Sequence, residues 1–94
     1  MSGAVVSAEI VSEDERAYRL TVRVREGRGE TTHEVTLARE LLTRLGSGAS
    51  AEAFVKKCFA FLLGREPKES ILRSFDVSVI SRYFPDFERE IARH

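Results

Sequence analysis

Between Leu37 and Leu41 the spacing of apolar residues changes from two to between three and four. That switch divides the chain into a strand-forming first part and a helix-forming second part. Upstream of it, three runs alternate. Residues 4–11 set Ala4, Val6, Ala8 and Ile10 on one face and Val5, Ser7, Glu9 and Val11 on the other, so both faces are partly apolar. The second run, 17–26, is cleaner, with Tyr18, Leu20, Val22 and Val24 opposite Arg19, Thr21, Arg23 and Arg25. A third, 30–37, puts His33, Val35 and Leu37 on one face and Thr32, Glu34 and Thr36 on the other. One apolar and one polar face per run is the mark of half-buried strands, and the spacing predicts a three-stranded antiparallel β-meander.

Residues that face one another across a ladder share a side of the sheet, which limits the turns. Pairing Ile10 with Tyr18 leaves the loop Glu13-Asp14-Glu15, a three-residue connection without the glycine such a loop prefers; a five-residue loop is the alternative. In the second hairpin Val22 and Val24 must face odd-numbered residues. The loop is then Gly27-Arg28 in a type II′ turn or Arg28-Gly29 in a type I′ turn.

Downstream of the switch, Leu41, Leu42 and Leu45 mark a helix at 38–45, closed by Gly46 and Gly48. Ser50 is placed to cap a helix at 51–63, with Glu52 in the first turn, where a carboxylate opposes the helix dipole. Apolar residues wrap more than half of that helix, as in one packed on two sides. Further short helices are expected at 67–74, 77–84 and 86–92. The segment from Phe54 to Phe87 holds all six phenylalanines, both prolines and the single cysteine. Each buried Phe contributes roughly 1.5–3 kcal/mol of transfer free energy, so this part supplies most of the core. The expected fold is one α+β domain over 1–94, with the helical half packed on one sheet face.

Three strings within that half carry a resemblance: Phe59-x-Phe61-Leu62-Leu63-x-Arg65-Glu66-Pro67, then Ser70-Ile71-Leu72-x-x-Phe75-Asp76, then Val79-Ile80-x-Arg82-Tyr83-Phe84-Pro85. The chain resembles a group of short, uncharacterised bacterial proteins with a β-rich first half and an FLLxREP…SIL…FD…IxRYFP second half. Gly64 stands where a charged residue is usual in that group. The resemblance implies a common fold and brings no activity, cofactor or catalytic residue with it.

Charge and composition narrow the partners. Fifteen basic residues balance fifteen acidic ones among 94, so no bulk field draws the chain to nucleic acid or an anionic membrane. No window approaches the roughly 20 apolar residues needed to span a bilayer. The first basic residue is Arg16, and the opening apolar run is short and interrupted, unlike a secretory signal. A lone Cys58 has no partner for an internal disulfide, in keeping with a reducing compartment. The expected location is the cytoplasm.

Chemistry-bearing patterns are few. His33, Cys58 and His94 lack ligand spacing, so neither a metal nor another cofactor is expected. Ser70, Ser74, Ser78 and Ser81 form no nucleophile elbow, and such serines commonly satisfy backbone groups near helix ends. Gly27-Arg28-Gly29 is accounted for by a hairpin and lacks the lysine and helix of a phosphate loop. The expectation is a non-enzyme with no small-molecule ligand indicated.

Two groups of residues stand out. Arg65, Glu66, Arg73, Asp76, Arg82 and Asp86 punctuate the expected helix boundaries, where acids cap and arginines bond free carbonyls, and they are read as a structural polar network. Arg19, Arg23 and Arg25 form a stripe that nearby Glu9, Glu26, Glu30 and Glu34 neutralise, which reads as a solvated sheet face. The other group is Val5, Val6 and Val11, on a first strand that lies at a sheet edge without protective lysines, prolines or inward charges. These valines make the candidate interface. The functional expectation is a protein-interaction or structural module, with a protein partner or self-association as a homodimer through the first strand. The alternative is a nucleic-acid-binding regulator that uses the helix pair expected over 68–84, a less favoured reading because its turn lacks glycine and its charge is balanced.

Overall fold

The computed structural model describes residues 3–93. Strands β1 (Val5–Glu13), β2 (Ala17–Glu26) and β3 (Gly29–Ala38) form the antiparallel meander. Helices α1 (Arg39–Leu45) and α2 (Ala51–Leu63) follow. A fourth strand, β4 (Ser74–Asp76), then pairs parallel to β3, which gives a mixed four-stranded sheet in the order β1-β2-β3-β4. Helices α3 (Ile80–Tyr83) and α4 (Phe87–Ala92) complete the chain. This is the α+β class that the change of apolar period predicts.

The sheet's inner face carries Leu20, Val22 and Val24 of β2 with His33, Val35 and Leu37 of β3, all of them buried. Val6, Ala8 and Ile10 of β1 lie half-buried on the same side. Helix α2 covers this face, with Phe54, Val55, Cys58, Phe59 and Leu62 buried. On its other flank Phe61 meets Phe84 and Phe87 edge-on, with ring centroids 5.9 and 5.1 Å apart. Such T-shaped pairs set the positive ring edge against the negative ring face. A wide apolar stripe therefore has its physical reason: α2 packs on the sheet with one side and on the C-terminal helices with the other. The ends of α2 are set locally, since the Ser50 hydroxyl accepts from the Ala53 N–H at 3.1 Å and the chain leaves the helix at Gly64.

Three expectations need correction. The segment 67–74 is not a helix: only Lys68–Ser70 makes a 3-10 turn, Ile71 is already extended (φ −74, ψ 133), and Ser74–Asp76 is the fourth strand. The free edge of β3 decides this, because the Glu34 N–H donates to the Arg73 carbonyl at 2.7 Å and Phe75 falls beside Val35. An edge hydrogen bond and a phenylalanine placed against Phe59 outweigh the weak helical periodicity of Ile71, Leu72 and Phe75. Likewise 77–84 is a 3-10 turn, Val77–Val79, followed by the four-residue α3. A helix pair across 68–84 is therefore absent.

The third correction concerns the first hairpin. Ile10 pairs with Leu20 instead of Tyr18, and Val11 is an extra residue bulged out before Ser12 pairs with Arg19. The turn is closed by Asp14, whose carboxylate accepts from the N–H groups of Arg16 and Ala17 at 2.8 and 2.9 Å. An aspartate-held turn of this kind replaces the glycine that the loop lacks. In the second hairpin Glu26 pairs with Gly29, and among the loop residues Gly27 alone has positive φ, at 61°. This is the Gly27-Arg28 register, whose first loop position requires glycine.

Candidate functional site

β1 is one outer strand of the sheet, and its free side is a row of main-chain donors and acceptors. Val5 and Val11 point away from the core and are 57% and 55% exposed. Val6 differs from both: it faces inward and packs at the margin of the core. The candidate interface thus splits into two outward valines and one half-buried one along the same edge. Glu9 is the single charged residue between Val5 and Ser12, so the edge has little charge to repel another strand.

The outer sheet face beside this edge is polar and mixed in sign. Arg19 meets Asp14 at 3.3 Å, and Thr21 donates to Glu34 at 3.1 Å. Arg23 lies between Ser7 and Thr32, and Arg25 between Val5 and Glu30. Opposite and neutral partners alternate along the arginine row.

Of the six residues at the expected helix boundaries, the structure brings two together. Arg65 reaches Asp86 at 2.6 Å while its guanidinium lies 3.9 Å over the Phe61 ring. The hydrogen bond from Arg65 holds the Asp86 carboxyl below its ordinary range. Asp86 occupies the N-cap position of α4, but its side chain goes to Arg65 and makes no cap. Asp76 does cap, accepting from the Ser78 N–H at 2.9 Å. Arg73 contributes through its main chain, as the carbonyl that receives Glu34. Among the described residues, the side chains of Glu66, Arg73 and Arg82 form no hydrogen bond or ion pair, so the six do not form one continuous network.

Three further polar features carry no clear sequence signal. Arg39 donates to the Asp14 carbonyl, the Tyr18 hydroxyl and the Glu13 carboxylate at 2.8, 2.8 and 2.7 Å, with its guanidinium 4.2 Å over the Tyr18 ring. It locks the first hairpin turn to the start of α1. Lys68 is buried, with Nζ 2.7 Å from Glu69 and 4.0 Å from Glu26, and it lies against Gly29. A Cβ at Gly29 would come 3.0 Å from that Nζ, so the glycine makes room for the lysine stem. Arg44 bridges α1 to α4 through Glu88 at 2.8 Å.

His33 is fully buried. Its Nδ1 lies 2.7 Å from the Leu72 carbonyl and its Nε2 2.9 Å from the Thr31 hydroxyl. A carbonyl only accepts, so Nδ1 carries the proton and Nε2 accepts from Thr31. Loss of water around the ring lowers the histidine's pKa, and the Arg73 charge acts in the same direction. Cys58, buried in the helix–sheet core, has its thiol pKa raised by burial to about 12. Neither group has the exposure or activation of a catalytic residue. Among the described residues no three His, Cys, Asp or Glu side chains gather as a metal site, and no helix is long and apolar enough to cross a membrane. His94 lies outside the described residues. No family model matches the chain, and no curated protein or solved structure shows significant similarity to it.

Proposed function

We propose that this protein is an interaction module that pairs with a second copy of itself through β1. The observation that carries the reading is the symmetry of the edge about Ala8. An antiparallel partner strand with Ala8 opposite its own copy sets Val5 against Val11, Val6 against Ile10 and Ser7 against Glu9. Each exposed valine then meets an exposed valine, the half-buried pair extends the apolar inner face, and the lone glutamate meets a hydroxyl. Cross-strand apolar pairs and main-chain hydrogen bonds are the two sources of affinity in such an edge-to-edge association. A two-fold axis uses the same patch on both copies and closes the assembly at a dimer, with a continuous eight-stranded sheet as the product.

Light scattering across a hundredfold dilution tests this directly. The expected result is twice the chain mass at the concentrated end, with Val5→Lys and Val11→Lys each shifting the equilibrium to monomer. A wild-type chain that stays monomeric at every concentration would overturn the reading. So would a dimer that both lysine variants leave intact.

A further inference from the structure

At the opposite edge of the sheet from β1, a groove of about 200 Å³ opens between the 3-10 turn, β4 and α3. Its walls are apolar: Leu62, Ile71, Phe75, Ile80 and Phe84 form the interior, while Leu72 and Tyr83, 48% and 66% exposed, stand at the rim. A cavity of about 150 Å³ lined by such side chains accepts a benzene ring. This one therefore has room for a single phenyl or branched aliphatic group.

Two further observations define what brings that group. Glu66 is the one charged side chain lining the groove, and no cation of the described residues pairs with it. The basic residues nearest to it in sequence are committed elsewhere, Arg65 to Asp86 at 2.6 Å and Lys68 to Glu69 at 2.7 Å. An open carboxylate beside an apolar hole selects a hydrophobic group carried next to a positive charge. The groove also runs along β4, the outermost strand on this side, whose central residue Phe75 is part of the wall. A chain paired to the free side of β4 would lie alongside the groove and direct alternate side chains toward it.

We propose that the groove between β4 and α3 is a docking site for an extended peptide segment of another protein, which adds a strand to β4, inserts one Phe- or Leu-sized side chain and sets a lysine or arginine two residues away, on the same face of the added strand, against Glu66. The site is independent of the β1 pairing, since the two occupy opposite edges of the sheet. Both can be filled in one assembly.

The test uses the full chain and dye-labelled, end-blocked peptides of sequence Lys-Thr-Phe-Thr-Lys and Glu-Thr-Phe-Thr-Glu, in which the charges share a strand face with the Phe, followed by fluorescence anisotropy and by amide chemical shifts. The lysine peptide is expected to bind saturably, about fivefold or more tighter than the glutamate peptide, with shifts concentrated from Leu72 to Tyr83. Glu66→Lys should reverse the preference, and Tyr83→Ala, at an exposed position, should weaken binding of the lysine peptide while leaving the circular dichroism spectrum unchanged. N-methylation along the peptide backbone should abolish binding. Equal binding of the two peptides, no saturable binding of either, or shifts confined to β1 would overturn the proposal. Phenethylamine binding as tightly as the lysine peptide would also overturn it, in favour of a small-molecule site.

Discussion

The imidazole of His33 donates from Nδ1 to the main-chain carbonyl of Leu72 at 2.7 Å, joining the third strand to the approach of the fourth. Protonation would turn Nε2 into a donor facing the Thr31 hydroxyl and would place a charge in the core. The folded chain therefore resists a proton that the unfolded chain accepts near the ordinary histidine pKa of 6.5. Stability should be level above that pH and fall as pH drops through it, until the lowered native pKa is reached. For one group the slope is bounded by about 1.4 kcal/mol per pH unit. Urea melts from pH 8 to 5 measure it. His33→Asn should be less stable overall and lose the part of the slope that belongs to this ring.

Cys58 should behave as a reporter of unfolding. With its thiol pKa raised to about 12 by burial, almost none is thiolate at pH 8, and the side chain is enclosed by α2 and the sheet. Iodoacetamide should leave the native protein unmodified over hours and label it rapidly in denaturant. Mass spectrometry distinguishes the two, and rapid native labelling would contradict the burial described above.

Arg65 and Arg82 should separate cleanly. Arg65→Ala removes both the ion pair with Asp86 and the stacking on Phe61, and should lower the melting temperature by a few degrees. Arg82 has no such contacts among the described residues, and Arg82→Ala should move it by less than about half as much. Differential scanning calorimetry at one pH compares them.

Phe59 should be among the most costly residues to truncate. It is fully buried, with ring centroids 5.2 Å from His33 and 5.9 Å from Phe75. Phe59→Ala should cost about 3–5 kcal/mol, a large share of the roughly 5–15 kcal/mol that holds a domain folded. Chemical denaturation should show an early, broadened transition for this variant and a smaller loss for Phe61→Ala, whose ring is half-buried.

The elements with purely local determinants are legible in the residues. β2 follows from strict alternation between Tyr18 and Arg25, and α2 from the Ser50 cap and Gly64 at its end, and both have the expected bounds. β4 is not legible, because Ser74-Phe75-Asp76 alone has neither the length nor the alternation of a strand. Its conformation is fixed by Glu34 and Val35, some forty positions earlier. For the same reason His33 can be read as inward-facing while its partner Leu72 cannot be named. The outward direction of Val5 is written in the parity of β1, but the bulge at Val11 depends on the aspartate-held turn and on the Arg39 cluster behind it. The groove beside β4 has no sequence signature at all, since its walls come from three segments that meet only in the folded chain.

The parallel pairing of β3 with β4 also orders events in time. Neighbouring strands of the meander can zip as soon as each is made, but a parallel neighbour needs a long crossover, here supplied by α1 and α2. A nascent chain that has reached the end of β3 therefore presents a sheet whose inner face is bare and whose histidine ring has no carbonyl to bond. The late C-terminal third acts as a clasp: α2 can cover the inner face first, but until Leu72 and Phe75 arrive the edge of β3 beside it stays open and His33 lacks its carbonyl, a gap that another strand could fill.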